Sequence, residues 1–277
     1  MARSGLLPVF VDVTADTYQI DVARIERNLG PRTKAILAPN LTGNCPDWDA
    51  IRAIADRHGL AVIEDSCDCL GATQGGAPTG RRSDISVTSF ALSHIIAAAG
   101  TGGMVCMDDE ALADRCLLLR RWGRRSEVQI FGSKKGRGER FFSELDGIEY
   151  DNLFIFDELG WNFEPSELGA AFGVVQMKKL PANRARRKRN FEILCQRLAA
   201  HPRCFVPPRT TPGIDTAWHM FPVLPRPESR VDAGGLANAD RVMEQGLILP
   251  MNHALEDEHM HFIGDQLDAY VKQHAFG

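Results

Sequence analysis

The chain has 277 residues, of which 44% are hydrophobic and 25% are charged, and its formal net charge at pH 7 is −4. These fractions are typical of a soluble globular protein, and the net negative charge provides no overall attraction to nucleic acid. No apolar run approaches the roughly 20 residues that cross a bilayer, and residues 1–13 lack the basic-then-apolar order of a signal peptide. We therefore expect a cytoplasmic protein without a nucleic-acid or membrane partner.

The seven cysteines are an odd number scattered along the chain, which favours reduced thiols over a disulfide framework. Cys67 and Cys69 form a C-x-C pair, but two thiolates alone do not hold an iron–sulfur cluster. We interpret all seven as structural or incidental. Histidine spacing in the carboxyl-terminal part matches no recognised metal motif, so we expect no metal site and treat its five histidines as ordinary surface or core residues: His201, His219, His253, His259 and His261.

Predicted strands and helices alternate along the amino-terminal half. Residues 7–13 and 34–39 are apolar runs typical of strands, and residues 21–29 are predicted as a short helix. Asp47 is a candidate cap for the next helix, and Gly59 is its predicted end. The apolar face of that helix is predicted to comprise Trp48, Ile51, Ile54 and Ala55. This alternation with short connections favours a mostly parallel sheet.

The central stretch, residues 60–107, carries polar side chains where predicted strands end. An apolar run at residues 60–63 ends in Glu64 and Asp65, and a second at 85–91 gives way to Ser93 and His94. A glycine-rich turn then leads into a third apolar run. In open α/β sheets, ligands bind at the carboxyl ends of the strands, so this stretch is the predicted site.

The same stretch resembles the DegT/DnrJ family of pyridoxal-phosphate (PLP) sugar aminotransferases and dehydratases. The resemblance implies the α/β fold of aspartate aminotransferase (fold type I), with a mostly parallel sheet in a large domain, 1–180, and a smaller α+β domain, 181–277. In the family, the aspartate after the strand pairs with the pyridine nitrogen of the cofactor, and Asp65 matches it. The family segment S-F-x-x-x-K holds a phosphate-binding serine and the Schiff-base lysine, which correspond here to Ser89 and His94.

A histidine in place of the lysine decides the implied reaction class. An imidazole cannot form a Schiff base, but it moves protons near neutral pH. In the family, this histidine marks the sugar 3-dehydratases, which hold pyridoxamine phosphate (PMP) non-covalently and remove the C3 hydroxyl of a 4-keto-6-deoxy nucleotide sugar. Asp68 indicates the same branch, because the aminotransferases usually carry glutamine there. The resemblance thus implies His94 as the catalytic residue and Asp68 as a further cofactor-binding residue.

Two later segments also match the family. Residues 160–168 resemble its G-Y-N-Y-R-M-S-E-L motif, whose asparagine reaches the cofactor phosphate of the neighbouring subunit, so the resemblance implies that Asn162 does so in a homodimer. A turn followed by a helix capped by Ser166 is the simpler alternative.

Residues 120–140 are basic and are predicted as a long loop, either solvated or functional. One dehydratase branch carries cluster-ligating cysteines after a similar R-x-W-G-R, and their absence here predicts no iron–sulfur cluster.

Some of the family pattern is expected to be absent. The resemblance covers residues 7–221 and 236–270, whereas family members begin with a further segment that binds the phosphate and stacks on the cofactor. The resemblance also implies that part of the small domain is skipped between Pro227 and Leu236, so we expect weaker cofactor and substrate binding. Pro181 is predicted to break the helix that precedes it.

Three hypotheses follow for the function. The first is a PMP/PLP-dependent 3-dehydratase that lacks an iron–sulfur cluster, with glutamate as its amino donor. The second is an aminotransferase of the same family that has lost or relocated its lysine. The third is a non-catalytic scaffold or fragment that retains the fold and the dimer surface.

Overall fold

The computed structural model describes residues 4–136, 141–225 and 237–274. Strands β1–β6 span Ala35–Pro39, Ala61–Asp65, Thr73–Gln74, Ala77–Pro78, Ile85–Ser89 and Gly103–Met107, and β7–β12 span Phe142–Leu145, Ile148–Asp151, Phe205–Val206, Ile214–Asp215, Phe221–Pro225 and Leu247–Leu249. Helices α1–α6 span Trp48–His58, Glu110–Arg120, Ser126–Ile130, Glu167–Ala199, Ala237–Gln245 and Asp257–His274. Among the described helices, none combines the length and apolarity needed to span a membrane.

A four-stranded sheet, in the order β1-β2-β5-β6, forms the centre of the amino-terminal half. The pairs β1–β2 and β2–β5 are parallel, and β6 runs antiparallel to β5. This confirms the predicted mostly parallel sheet. Because the parallel strands share a direction, Pro39, Asp65 and Ser89 all lie at one edge, with Pro39 opposite Asp65 and Asp65 opposite Val87.

Helix α1 packs on this sheet as its sequence predicts. The Asp47 carboxylate accepts a hydrogen bond from the backbone N–H of Ala50 at 3.1 Å, and Gly59 ends the helix at a φ of 62°. Glycine adopts that left-handed conformation without the strain that a side chain introduces. The four predicted apolar residues of the helix are all buried, against Ile36 and Val62 of the sheet.

A second hydrophobic cluster joins α4 to the carboxyl-terminal strands and helix α6. Its centre includes Leu194 of α4, Phe221 of β11 and Met260 of α6, all with no exposed surface. The predicted domain boundary at residue 180 falls inside α4, and Leu180 of that helix packs with Ile95 and Ile96 of the amino-terminal half. The division into 1–180 and 181–277 stays a prediction.

Helix α4 continues through Pro181, so the predicted break there is wrong. A proline removes one backbone hydrogen bond and crowds one preceding carbonyl. Buried side chains hold the helix on both sides of this defect, with Leu180 before the proline and Asn190 and Leu194 after it. Most helical stability in proteins comes from such packing, which here outweighs the local cost.

Two other local predictions are corrected. Residues 7–13 form no strand, and only an isolated bridge joins Val13 to Ile20. The side chains of Leu7, Val9 and Phe10 are exposed, and an alternating apolar run becomes a strand only when a neighbour pairs with it. Residues 21–29 form two short 3-10 turns instead of one helix.

The basic segment after Arg120 is partly ordered, which the loop prediction did not anticipate. It contains α3, in which Glu127 is fully buried and pairs with Arg120 at 2.8 Å and Arg121 at 3.1 Å. Removing one partner from a buried ion pair is strongly destabilising. The two arginines therefore serve the fold, and the segment is not a merely solvated excursion. Residues 137–140 of the predicted loop lie outside the described residues.

Candidate active site

The ends of β2 and β5 present Asp65 and Ser89 at one edge of the sheet. The Asp65 carboxylate accepts a hydrogen bond from the backbone N–H of Cys67 at 3.1 Å. Within the described residues, Asp65 forms no ion pair with a basic side chain, so its charge suits a protonated ring nitrogen. The Ser89 Oγ accepts from the N–H of Ala91 at 3.1 Å, and the hydroxyl can still donate its own proton to a phosphate.

Cys67 lies between these two residues but is not a nucleophile. Burial raises the pKa of its thiol to about 12, and the hydrogen bond and charge of Asp65 and the charge of Asp68 act in the same direction. A hydrogen bond with the backbone of Ser89 opposes the shift. Since the thiolate is the reactive form, Cys67 is an inert thiol at neutral pH.

Asp68 and His94 form the second part of the site. His94 Nδ1 lies 3.3 Å from Asp68 Oδ1, and Asp68 Oδ2 accepts a hydrogen bond from the N–H of Thr42 at 3.2 Å. The His94 side chain is 25% exposed, so its ring is reachable from solvent. If Nδ1–H donates to Asp68, Nε2 keeps its lone pair for proton transfer, which is the arrangement of a carboxylate-oriented general base.

The structure adds a histidine that sequence reasoning grouped with the ordinary ones. The ring of His219 is stacked on that of His94, with centroids 6.2 Å apart and an interplanar angle of 20°. Its Nε2 lies 3.8 Å from Asp68 Oδ1. No spacing signal indicates this contact, because His219 reaches the site from the turn before β11, far along the chain.

One short loop holds both Asp68 and His219 in place. Thr42, at a φ of 58°, donates its N–H to Asp68 and accepts the N–H of His219 on its carbonyl at 2.7 Å. Gly43 has a φ of 90°, and a Cβ there would lie 2.1 Å from the backbone nitrogen of His219. The two segments therefore approach more closely than any side chain at position 43 permits.

The surroundings of His219 keep its ring neutral. Burial lowers the pKa of His219, and the charges of Arg187 and His94 lower it further. Asp68 and a hydrogen bond with the backbone of Ser93 act in the opposite direction. The Arg187 guanidinium is itself buried and donates from Nη1 to the His219 carbonyl at 2.7 Å.

The lowered pKa of His219 makes the stability of the protein depend on pH. Its pKa is about 6.5 in the unfolded chain and lower in the folded one, so the unfolded state binds more protons below that pH. The contribution of the neutral His219 ring to the free energy of unfolding is fully present above pH 6.5. It is lost as the pH falls through the pKa of His219 in the folded protein. We expect His219→Gln to reduce the slope of unfolding free energy against pH between 7 and 5, measured by urea denaturation. An unchanged slope would contradict this prediction.

Asn162 lies in the segment that precedes α4. Its side chain is exposed, and its backbone bridges to Arg121. The neighbouring Trp161 and Phe163 are also exposed and stack on each other at 5.9 Å. The predicted reach of Asn162 toward a neighbouring subunit stays a prediction, as do the roles predicted for Asp65, Asp68, Ser89 and His94.

Comparison with known proteins identifies the family. The model of the DegT/DnrJ/EryC1/StrS aminotransferase family matches residues 1–233. The chain belongs to this family. The lipopolysaccharide biosynthesis protein RfbH of Salmonella typhimurium is 29% identical over 306 residues, which cover 97% of this chain and 70% of RfbH. The dTDP-4-dehydro-2,6-dideoxy-D-glucose 3-dehydratase of Saccharopolyspora spinosa is 33% identical over 238 residues, which cover 85% of this chain and 51% of that enzyme.

Solved structures of DegT/DnrJ-like proteins share the fold. The GDP-4-keto-6-deoxy-D-mannose 3-dehydratase of E coli, solved with hydrated PLP, matches with a TM-score of 0.77 and 23% identity, over 92% of this chain and 72% of that one. The fold is therefore that of the fold type I PLP enzymes, as predicted. In the described part of the chain, no three or more His, Cys, Asp or Glu side chains are grouped to hold a metal ion.

Proposed function

We propose that this DegT/DnrJ protein is a PMP/PLP-dependent 3-dehydratase of a nucleotide-linked 4-keto-6-deoxy sugar. The observation that carries the proposal is the imidazole of His94, whose Nδ1 lies 3.3 Å from Asp68 Oδ1. In the sequence resemblance, His94 corresponds to the family's lysine. The likeness to named 3-dehydratases supports the same reaction. The chain spans about half of the S. spinosa enzyme, so the activity of the whole relative is part of the proposal.

The residues at the sheet edge suit the cofactor. The Asp65 carboxylate would hold a protonated pyridine nitrogen, and the Ser89 hydroxyl would donate to the phosphate. Asn162 of a second subunit would complete the phosphate site, so the proposed active enzyme is a homodimer. When bound, PMP supplies an amine for the C4 carbonyl carbon of the sugar and a ring that withdraws electrons.

His94 moves the protons of the proposed reaction. With its Nδ1–H on Asp68, His94 would take up at Nε2, as general base, the proton released from carbon C4′ of the bound cofactor. It then returns that proton to the departing C3 hydroxyl, which leaves as water. Positioned acid–base groups of this kind contribute about 10²–10⁴ in rate. Glutamate is the proposed amino donor that restores the amine, and the absence of an iron–sulfur cluster is part of the proposal.

The test combines a binding titration with a product analysis. The purified chain is titrated with PLP and PMP by absorbance while its size in solution is measured, and it is then supplied with glutamate and GDP- or dTDP-linked 4-keto-6-deoxy sugars. The expected product is a nucleotide sugar that lacks one oxygen atom at C3, formed together with 2-oxoglutarate and ammonia. A product that gains an amine at C4 and keeps the C3 oxygen would identify an aminotransferase instead. Failure to bind either cofactor would favour a scaffold.

A further inference from the structure

We infer that His219 is a positioning residue for His94. Its buried ring packs against the His94 imidazole and restricts the position of the Asp68 carboxylate, so that Asp68 remains hydrogen-bonded to His94 Nδ1. The ring-to-ring stack at 6.2 Å and the approach of Nε2 to 3.8 Å from Asp68 Oδ1 carry this inference. It rests on the proposed role of His94 and adds a residue to that site.

Burial and hydrogen bonds hold the His219 ring in one orientation. Its side chain is only 10% exposed. Three backbone contacts fix its position: its N–H donates to the carbonyl of Thr42, Arg187 donates to its own carbonyl, and it makes a hydrogen bond with the backbone of Ser93. Because Ser93 directly precedes His94, His219 restrains the segment that carries the base as well as its ring.

The two carboxylate oxygens of Asp68 face different neighbours. Thr42 N–H holds Oδ2, while Oδ1 faces both imidazoles. A carboxylate shared by two protonated rings would have its charge divided between them. A neutral His219 leaves the whole charge to His94, and the buried cation of Arg187 favours that neutral state. The charged and titratable groups that face His219 are thus Asp68, His94 and Arg187.

Nδ1 of His219 supports a fixed tautomer. This atom is buried and has no hydrogen-bond partner among the described residues. A donor left without an acceptor in a buried place is unfavourable, whereas the Asp68 carboxylate, with Oδ1 3.8 Å from Nε2, faces a proton on that nitrogen. His219 therefore carries its proton on Nε2, facing the same carboxylate as His94.

The test is a tautomer measurement by long-range ¹⁵N–¹H NMR at pH 7.5 on the chain without cofactor. The His94 signal is assigned by its loss in His94→Asn, and the share of its Nδ1–H tautomer is compared in the wild type, His219→Phe, Asp68→Asn and the double variant. Phenylalanine keeps the ring stack but holds no proton near Asp68. We expect His219→Phe to shift His94 from the Nδ1–H tautomer to a mixture of both tautomers, because the carboxylate is no longer confined against Nδ1. In the Asp68→Asn background, His219→Phe is expected to have no further effect.

His219→Gln is the conservative control. Its amide can still donate to the Ser93 backbone, so the His94 tautomer should remain that of the wild type. A His94 tautomer that does not change in His219→Phe, or that changes equally with and without Asp68, would overturn the inference, since both results describe a merely structural residue.

A measurement on the wild type covers the case in which a variant does not fold. Long-range ¹⁵N–¹H spectra at pH 7.5 report the tautomers directly, and we expect His94 protonated on Nδ1 and His219 neutral with its proton on Nε2. The opposite tautomer on His94 would overturn the inference. Neither readout uses the dehydratase assay, so failure of the proposed function and failure of this inference are distinguishable.

Discussion

Replacing His94 with glutamine should lower the dehydratase turnover by about 10²–10⁴, the range that a positioned acid–base group contributes. Glutamine cannot take up a proton near neutral pH, although it fills a similar volume. Cofactor binding should change little, because Asp65 and Ser89 are untouched. The measurements are the turnover of the 4-keto sugar and the absorbance titration with PLP. His58→Gln is the matched control, since His58 lies at the exposed end of α1 and should leave turnover unchanged.

His94→Lys extends this prediction to the geometry of the pocket. A lysine at the family's position should form a Schiff base with PLP, which borohydride reduces to a stable adduct detectable by mass spectrometry. Retained dehydratase turnover in His94→Gln would show that His94 is not the base. If His94→Lys also gave no adduct, position 94 would not face the cofactor.

Replacing Gly43 with alanine should lower the free energy of unfolding by about 2–5 kcal/mol. The estimate combines a left-handed φ, which costs an alanine roughly 1–2 kcal/mol, with overpacking, which costs roughly 1–3 kcal/mol. The new Cβ would meet the backbone of His219 and Trp218 at 2.1–2.8 Å, and backbone cannot move aside as a side chain does. Urea denaturation with a fixed m-value measures the change.

Gly59→Ala is the matched control for this second prediction. Gly59 also has a positive φ, but nothing lies within 4 Å of a Cβ built there. It should therefore lose only the conformational part, about 1–2 kcal/mol. Equal losses in the two variants would mean that the loop around Gly43 relaxes freely, and the close approach of Thr42 to His219 would then be unimportant for stability.

Much of the first half of the fold was predictable from local sequence. Asp47, Gly59 and the apolar face between them specify α1, because a cap, a left-handed stop and a 3.6-residue period act through near neighbours. The carboxyl ends of the parallel strands were predictable for the same reason, and with them the location of Asp65. Residues 7–13 show the limit of this reasoning. Their alternating apolar pattern is typical of a strand, but it carries no information about whether a neighbouring strand pairs with them.

The sequence alone therefore indicated the family and the strand-end position of Asp65, since these depend on residue identity and short spacing. The exchange of the family's lysine for His94 rests on the same kind of pattern and stays a prediction. Only the tertiary structure decided that His219 lies on His94, that Thr42 clamps both His219 and Asp68, and that α4 runs through Pro181. These features arise where distant segments meet. Their energies come from burial and packing between segments, and no pattern within one segment records which distant partner it will contact.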